Sequence, residues 1–359
     1  MLVGKGQQSG RENTFWPHHR NSVSPLCAGR LPEIGWELGN QKLMKAIRIH
    51  NYGGPELLRY EDAPRPRVKN GEVLIRVHAA GVNPLDWKVR AGDLKKFIQH
   101  KLPLIPGWDV SGVVAEVGAG VSQFKKGDEV FAMADPTRDG AYADYIAIHA
   151  TALGLKPKSL HHVRAAATPV SVLTAWRSLF DLGHLESGQR ILIHGGSGGV
   201  GHFAVQLAKW KGAYVVATAS TENQEFLREL GADEAIDYTT QKFEDVAHNI
   251  DIVLDTIGGE TQQRSWLVLN KAGALISLVQ PPSEQQANQF RVRGMMSSVQ
   301  PNGAQLSAIA KLIDSAKLRP IIDRILPLGE ARRAHELSES RHARGKIVLR
   351  VKDIQPLLP

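Results

Sequence analysis

"GSGGVG", residues 196–201, links an apolar strand pattern, "RILIH", to an amphipathic helix pattern, "VGHFAVQLAKWKG". Glycine permits a tight turn, lets the backbone approach a pyrophosphate closely, and allows the helix to pack against the strand. The N–H groups and the dipole at the helix start favour a bound anion. We therefore predict a dinucleotide-binding turn rather than a glycine-rich corner that serves packing alone; its residues are Gly196, Ser197, Gly198, Gly199, Val200 and Gly201.

Two different patterns flank this turn. From residue 44 to about 160, short strand-like segments such as "EVLIRVHAAGV" and "SGVVAEVG" are separated by Gly, Pro and Asp turns, which is typical of a compact β-barrel-like domain. After Arg164, apolar strands such as "AYVVATA" and "IDIVLD" alternate with helical segments, which predicts a parallel sheet covered on both faces. The expected fold class is α/β, with one domain of each kind.

Composition narrows the class of protein. The chain has 359 residues, of which 42% are hydrophobic and 22% charged, and this length favours two domains. Apolar runs are too short to span a bilayer, so no membrane span is expected. One cysteine, Cys27, excludes an internal disulfide framework and a Cys-rich zinc lobe, and suits a cytoplasmic location. The formal charge of +8 is spread along the chain, so no nucleic-acid partner is expected.

The first 43 residues lack a sustained hydrophobic period, and a regular pattern begins at Met44 in "MKAIRIHNYG". We interpret residues 1–43 as a disordered extension, or as sequence added by an upstream start codon. A transit peptide is a weaker alternative, because Glu12, Glu33 and Glu37 are unusual in such a segment.

The end of the second strand of the alternating region bears on the choice of dinucleotide. A NAD site usually places an acidic residue there to bind the ribose 2′-hydroxyl, but "AYVVATASTEN" places Ser220 and Thr221 at this point. Their hydroxyls could donate to a 2′-phosphate, and Glu222 is expected to open the next helix. NADPH is therefore the predicted cofactor, although no arginine stands at this point.

From Met44 to about Val351 the chain resembles the medium-chain dehydrogenase/reductase superfamily, in particular its zinc-independent quinone oxidoreductase (zeta-crystallin-like) branch. The resemblance rests on "AAGVNPLDWKVRAG", "PGWDVSGVVAEVG", "KGDEVFA", "GAYADY", "LTAW", "GGSGGVG", "LGADEAIDY" and "ARGKIVLRV". It implies a GroES-like catalytic domain at residues 44–165 and 312–359, with a Rossmann NADP-binding domain at 166–311 between them. A homodimer is expected by the same analogy.

The resemblance also implies a set of cofactor contacts. Ser197 to Gly201 would hold the pyrophosphate, while Ser220 and Tyr238 would flank the adenosine phosphate. The family often has a lysine a few residues after Ser220, where Gln224 stands here. The residues expected near the nicotinamide half are Thr174, Thr256, Ser277 and Val279.

Zinc-using members of the superfamily carry three ligand positions that correspond here to Asn83, Trp108 and Val170. None of these side chains belongs to the Cys, His and carboxylate donors that zinc requires, so no metal is expected. In "PGWDVSG" Trp108 is expected to fill the space that the metal occupies in zinc-using relatives and to face the cleft between the two domains. There it either stacks on a flat acceptor or only closes the space. Asp109 stands where those relatives have a neighbouring acid.

Without a Lewis acid, reduction of an activated acceptor is the favoured chemistry. A quinone or an α,β-unsaturated ketone delocalises the charge of an incoming hydride onto oxygen, and the protein must supply orientation and a hydrogen bond. Asn83 is the predicted donor, with Asp86 orienting it, although both residue types are common in turns and caps. Lys88 and Tyr142 are weaker candidates.

Three alternatives remain open from the residues. An enoyl-thioester reductase of the same superfamily would be favoured by a tyrosine near "NPLD", where Trp87 stands instead. A non-catalytic NADPH-binding protein with a structural or regulatory role would bind the cofactor without turnover. Zinc-dependent alcohol oxidation would require about one bound zinc per chain.

Overall fold

The computed structural model of the chain describes residues 42–352. The predicted extension at residues 1–43 therefore lies, except for its last two residues, outside the described part. Within residues 42–352 the strands are β1 (Leu43–Arg48), β2 (Arg59–Pro64), β3 (Glu72–Val82), β4 (Asp109–Val117), β5 (Glu129–Met133), β6 (Tyr145–His149), β7 (Leu153–Leu155), β8 (Arg190–Ile193), β9 (Tyr214–Ala219), β10 (Glu234–Asp237), β11 (Ile250–Asp255), β12 (Leu269–Ser277), β13 (Arg293–Met296), β14 (Ile322–Pro327) and β15 (Lys346–Arg350).

In the described residues the α-helices are α1 (Pro84–Ala91), α2 (His162–Ala166), α3 (Pro169–Trp176), α4 (Gly201–Lys211), α5 (Gln224–Glu229), α6 (Gly259–Ser265), α7 (Glu284–Phe290), α8 (Gly303–Asp314) and α9 (Ala331–Glu339). Helix α1 follows β3, and the other α-helices lie between strands β7 and β15. Pro169 is the first residue of α3, a position where proline is tolerated because its missing N–H would have no partner within the helix.

A mixed sheet forms the GroES-like domain. Its strand order is β14-β15-β3-β4-β5-β7, and β6 also pairs with β3. The long strand β3 pairs with β4 on one side, whereas on the other side its first part pairs with β6 and its last part with β15. The β3–β4 register shifts twice, between Leu74 and Ile75 and between Val77 and Ala79. Such irregularities bend a strand, so the sheet curves around its apolar core.

A parallel sheet forms the Rossmann domain, with the strand order β10-β9-β8-β11-β12-β13. Each recorded pairing in it is parallel. The order reverses between β8 and β11, so the carboxyl ends of the central strands meet at one edge beside a topological switch point. The predicted α/β fold class, with its GroES-like and Rossmann parts, is confirmed.

Helix α8 contacts both parts of the molecule. Leu306 and Ile309 belong to the same buried cluster as Phe131 of β5 and Leu173 of α3. The predicted domain boundary at residues 311 and 312 falls within this helix. We keep the division into 44–165 with 312–359, and 166–311, as a proposal.

The stretch "PGWDVSG" enters β4 through a backbone that only glycine can adopt easily. Gly107 has φ +90°, and a Cβ atom there would lie 2.1 Å from the ring of Tyr142. Glycine is therefore needed both for the dihedral angle and for the close approach of the tyrosine. Trp108 follows this turn, and Asp109 begins the strand.

No helix within residues 42–352 is both long enough and apolar enough to cross a bilayer.

Candidate active site

The carboxyl edge of the parallel sheet collects most of the residues that the sequence predicts for the cofactor. The predicted turn follows β8, Ser220 follows β9, Tyr238 follows β10, and Thr256 follows β11. Ser277 is the last residue of β12, and Val279 stands two positions later. Because parallel strands share one direction, residues distant in sequence are brought to the same edge.

The glycine turn is held by close backbone contacts. The Gly196 N–H donates to the Thr218 carbonyl at 2.9 Å, which ties the turn to β9. A Cβ atom on Gly201, the first residue of α4, would lie 2.1 Å from the Gly195 carbonyl oxygen. The third glycine of the motif is therefore required by the close packing of helix on strand, which is the role predicted from the sequence.

The predicted adenosine end is rich in hydroxyl groups. The Asn223 side-chain amide donates to the Ser220 hydroxyl at 2.9 Å, and the Thr221 hydroxyl donates to Asp237 at 2.6 Å. Hydrogen bonds from Thr221 and then Thr239 lower the pKa of Asp237. Tyr238 is 59% exposed beside them.

An arginine from the far end of the chain reaches this end of the site. Arg344 donates from Nε to the Asn223 side-chain oxygen at 2.7 Å and from a terminal nitrogen to the Glu222 carbonyl at 3.2 Å. The next residue, Gly345, donates its N–H to the Ser197 carbonyl at 2.8 Å. The segment before β15 thus touches both the glycine turn and the turn after β9.

The predicted nicotinamide end is organised by Asp255, which sequence analysis did not single out. One oxygen of this buried carboxylate accepts the N–H groups of Ile257 and Gly258, at 2.9 and 2.8 Å. The other accepts the Ser277 hydroxyl at 2.9 Å. Asp255 therefore orders the loops after β11 and β12, on which Thr256, Ser277 and Val279 lie.

Two threonines at this end use their hydroxyls internally. The Thr256 hydroxyl donates to the His194 carbonyl at 2.7 Å, and the Thr174 hydroxyl donates to the Val170 carbonyl at 2.6 Å within α3. Ser277 is fully buried, whereas Val279 is 37% exposed. The structure thus brings Thr256, Ser277 and Val279 to one edge, and Thr174 lies on the neighbouring helix α3.

Asn83 lies in a buried polar cluster with Asp109 and Lys346, which we call the lysine cluster. The Lys346 ammonium donates to the Val82 carbonyl at 3.0 Å, to Asp109 at 3.2 Å and to the Asn83 side-chain oxygen. The Asn83 side-chain nitrogen donates to the same oxygen of Asp109 at 2.9 Å. The other Asp109 oxygen accepts the Val170 N–H, at the start of α3, at 2.6 Å.

The lysine cluster adjoins the glycine turn. A Cβ atom on Gly199 would lie 3.4 Å from Cδ of Lys346. Asn83 and Lys346 are 2% and 3% exposed, so the cluster is shielded from water. A buried charge is tolerated when it is paired and hydrogen-bonded, which is the case for both charges of the cluster.

Asp86 serves the helix that begins beside this cluster. It is the N3 residue of α1, and its carboxylate accepts the Asn83 N–H at 2.8 Å in a capping arrangement. The same oxygen accepts the Tyr142 hydroxyl at 2.9 Å. Burial raises the pKa of Asp86 to about 7, and burial raises the pKa of Tyr142 well above its usual value.

Trp108 occupies a packed position. The side chain is 0% exposed, and its indole N–H donates to the Arg138 carbonyl at 3.1 Å. The expectation that Trp108 faces the cleft therefore needs correction, because the ring is packed and its single N–H is already donated to the Arg138 carbonyl. We omit it from the proposed catalytic groups.

The buried histidines near the turn are neutral packing groups. His194, which follows β8, contacts the hydroxyls of Thr218 and Ser265, and burial lowers its pKa to about 4. His202 of α4 contacts the Gly198 carbonyl at 2.9 Å, and burial lowers its pKa to about 4 as well.

The residues at the three metal-ligand positions do not form a donor set for zinc. Asn83 has its side chain engaged by Lys346 and Asp109, Trp108 is packed, and Val170 contributes only its backbone N–H. Within residues 42–352 no group of three or more His, Cys, Asp or Glu side chains is arranged to hold a metal ion. A zinc ion does not fit this corner.

Sequence reasoning missed the roles of Lys346, Arg344 and Asp255. The motif "ARGKIVLRV" was noted for its resemblance, but two of its basic side chains, Arg344 and Lys346, reach partners more than 100 residues away. No local pattern reports such contacts. The buried Asp255 carried one usable signal, because a carboxylate that ends an apolar strand requires partners.

Comparison with known proteins agrees with this architecture. Residues 69–158 match the family described as alcohol dehydrogenase GroES-like domain, and residues 230–349 match the family described as zinc-binding dehydrogenase. The chain is 38% identical to the NADPH-dependent alkenal/one oxidoreductase, chloroplastic, of Arabidopsis thaliana, over 91% of this chain and 85% of that protein. It is 34% identical to the human NAD(P)H oxidoreductase RTN4IP1, mitochondrial, over 92% and 97%.

A solved structure has the same fold over the whole of its length. The quinone oxidoreductase from Coxiella burnetii shares 37% sequence identity, with a TM-score of 0.80, over 87% of this chain and 100% of that one. The chain belongs to the medium-chain dehydrogenase/reductase superfamily, in its quinone oxidoreductase-like group.

Proposed function

We propose that this protein is an NADPH-dependent, metal-free oxidoreductase that transfers a hydride to a quinone or an α,β-unsaturated ketone. The observation that carries the proposal is that the dinucleotide turn adjoins the lysine cluster. The Gly345 N–H donates a hydrogen bond to the Ser197 carbonyl of the turn, and the Lys346 ammonium donates to the Asn83 side-chain oxygen. A cofactor cradle thus adjoins a polar group that can face developing negative charge. The names of the relatives above agree with this class of reaction.

The chemistry follows from the groups of the site. When bound, the nicotinamide supplies the hydride. The glycine turn would hold the pyrophosphate through its backbone N–H groups. The Asn83 amide nitrogen carries two hydrogens and has one recorded bond, to Asp109, so the second can donate to the oxygen on which charge develops. Asp86 fixes the Asn83 backbone and is a positioning residue.

The preference for NADPH over NADH is supported by three features of the adenosine end. Ser220 and Thr221 are hydrogen-bonding side chains at the end of β9, and Arg344 brings a guanidinium to the same turn. Glu222 and Asp237 oppose this preference, although Asp237 is bound by hydroxyl groups. A guanidinium is well suited to a 2′-phosphate because it can donate two hydrogen bonds at once.

The proposal that the reaction uses no metal is supported by the residues at the ligand positions, because the side chains of Asn83 and Val170 are not zinc donors. Elemental analysis of the purified protein tests it, and we expect far less than one zinc per chain. About one tightly bound zinc per chain, lost together with activity on chelation, would contradict the metal-free proposal and favour alcohol oxidation.

The central experiment measures oxidation of NADPH and NADH with a panel of quinones, enones and enoyl thioesters. We expect turnover with NADPH and with quinones or enones. Turnover confined to enoyl thioesters would favour the enoyl-thioester reductase. Tight NADPH binding without turnover on any acceptor would overturn the proposal and favour a structural or regulatory role.

The Arg344→Gln variant tests the cofactor preference. We expect the affinity for NADPH and for 2′,5′-ADP to fall about 10-fold, because a charge-assisted hydrogen bond is lost. The affinity for NADH should change less than about 2-fold, because NADH has no 2′-phosphate for Arg344 to bind. Calorimetry and KM values provide the measurements, with Arg333→Gln on the exposed face of α9 as control. Equal losses for both cofactors would assign Arg344 to the pyrophosphate instead.

A homodimer and a cytoplasmic location stay predictions. The outer strand β13 offers a free edge of the parallel sheet in the described residues, which supports pairing with a second copy. The relatives named above are assigned to chloroplasts and mitochondria, so fractionation of cells is the measurement of location. Sedimentation of the purified protein measures the assembly state.

A further inference from the structure

Lys346 is a buried lysine whose ammonium is surrounded by acceptors. The side chain is 3% exposed as part of the lysine cluster. Its three recorded partners are the Val82 carbonyl, the Asn83 side-chain oxygen and Asp109. An ammonium has three hydrogens to donate, so each recorded acceptor can be assigned one hydrogen.

We propose that Lys346 is a positioning residue that holds the Asn83 amide in the orientation needed to donate to the acceptor oxygen. The inference rests on the proposed function and adds a residue to it. Lys346 places a positive charge beside Asn83 and Val170, which stand at positions where zinc-using relatives have metal ligands.

The orientation of the Asn83 amide follows from its two neighbours. The amide oxygen faces the ammonium of Lys346, and the amide nitrogen faces a carboxylate oxygen of Asp109 at 2.9 Å. The reversed amide would set its hydrogens against the ammonium and its oxygen against the carboxylate, and both contacts would be repulsive. Since the site is buried, water cannot relieve that repulsion, and one orientation is strongly favoured.

The ammonium also strengthens the proposed donor. A cation bound to the amide oxygen polarises the amide group, which makes its N–H a better hydrogen-bond donor. The effect is larger in a water-excluded cluster than at the surface, because the effective dielectric constant is lower. Lys346 thus acts through Asn83 rather than by touching substrate.

The same segment sets the distance between Asn83 and the cofactor turn. Gly345 donates to the Ser197 carbonyl at 2.8 Å, and the stem of Lys346 lies against Gly199. The start of β15 therefore connects the turn on one side with the amide on the other. A donor held in this way needs little rearrangement when charge develops on the acceptor.

Three variants separate positioning from simple stability: Lys346→Met, Asp109→Asn, and the double variant. Lys346→Met alone leaves the buried Asp109 charge uncompensated and is expected to unfold easily. The double variant removes both charges, so it should recover stability. Asp109→Asn leaves the Lys346 ammonium without its anion and should also lose stability, but the ammonium still binds the Asn83 oxygen, so the amide retains its orientation.

Steady-state kinetics and NADPH binding are measured for each folded variant. We expect kcat of the double variant with an enone to be about 10- to 100-fold below that of Asp109→Asn, while the dissociation constant of NADPH stays within about 3-fold. The loss should be smaller with a strongly oxidising quinone, because its developing oxyanion needs less stabilisation. A general misfolding effect would lower both activities alike.

Lys156→Met is the matched control. Lys156 is also a buried lysine, with its side chain 6% exposed, and it donates to the carbonyls of Pro157 and Leu160 and faces Glu129. It lies outside the lysine cluster. We expect its replacement to lower stability and to leave the ratio of enone to quinone turnover unchanged.

Two outcomes would overturn the inference while the proposed function stands. One is a double variant that turns over enones as fast as Asp109→Asn. The other is an equal loss with enones and quinones, accompanied by weaker NADPH binding. Inactivity of the unsubstituted protein on every acceptor would overturn the proposed function, and this inference with it, before any variant is compared.

Discussion

Two carboxylates, Asp86 and Asp109, are both 0% exposed near the same asparagine, yet their surroundings differ. Asp109 has the Lys346 ammonium, the Asn83 amide and the Val170 N–H as partners. Asp86 accepts the Asn83 N–H and the Tyr142 hydroxyl on one oxygen, and its other oxygen has no recorded partner.

The difference shows that two equally buried carboxyl groups can have very different partners. Asp109 is matched by a nearby cation, and its side chain accepts the Val170 N–H at the start of α3, where the helix dipole favours negative charge. Asp86 has only neutral donors in contact, and burial raises its pKa to about 7. The first group connects β4 with β15 and with the start of α3, whereas the second caps one helix.

The largest expected effect tests the charge pairing of Asp109. Lys346→Met should lower the free energy of unfolding by about 3–5 kcal/mol, because it leaves a buried carboxylate without its cation. Urea denaturation at pH 7.5 provides the measurement. Asp86→Asn should cost much less at this pH, since no paired cation is stranded.

The matched comparison is the double variant Lys346→Met with Asp109→Asn. Its free energy of unfolding should lie well above that of Lys346→Met alone, since neither charge remains. If both proteins were equally destabilised, packing of the lysine stem rather than charge pairing would account for the loss.

A smaller effect concerns the pH dependence of stability at Asp86. The folded-state pKa of about 7 lies above the unfolded value of 3.8, so between these values the folded state binds more protons. The contribution of Asp86 is therefore fully present below about pH 4 and is lost as pH rises to about 7. The free energy of unfolding of Asp86→Asn, taken relative to that of the unsubstituted protein, should therefore rise by roughly 2–3 kcal/mol between pH 4 and pH 7.

The difference in free energy of unfolding between Asp86→Asn and the unsubstituted protein reports on Asp86 alone, because both proteins contain the same buried histidines. His194 and His202 have pKa values lowered to about 4, so their contribution is lost as pH falls from 6.5 and runs in the opposite direction. Urea unfolding across this range measures both proteins. A difference that does not change with pH would show that Asp86 keeps its charge in the fold.

The smallest effect is expected at Trp108, which precedes Asp109. Trp108→Phe should lower the free energy of unfolding by about 1–2 kcal/mol, because it leaves a small cavity and removes the hydrogen bond to the Arg138 carbonyl. KM for quinones and enones should change less than about 2-fold, since the indole is enclosed. Thermal unfolding and kinetics provide the measurements. A selective rise in KM without loss of stability would indicate that Trp108 contacts the acceptor.

Much of the cofactor site follows from local patterns. The turn at residues 196–201 lies between a buried strand and a helix, as predicted, because glycine spacing and hydrophobic period act over a few residues. Ser220, Thr256 and Ser277 were expected near the cofactor from the family resemblance, and the parallel strands bring them to one edge of the sheet. The catalytic side was less predictable. Asp86 caps α1 at a recognisable spacing, but the hydrogen bond that holds Trp108 is accepted by Arg138, which lies elsewhere in the chain.

The amino-acid pattern alone was sufficient for the α/β class and the dinucleotide turn, whereas the family resemblance was needed to relate Asn83, Trp108 and Val170 to zinc-ligand positions. The fold class and the turn depend on residue types and short spacings. The partners of each buried charge required the folded chain: Lys346 meets Asp109 across 237 positions, and Arg344 meets Asn223 across 121. Charge compensation acts through space over a few ångströms, and sequence distance carries no information about it.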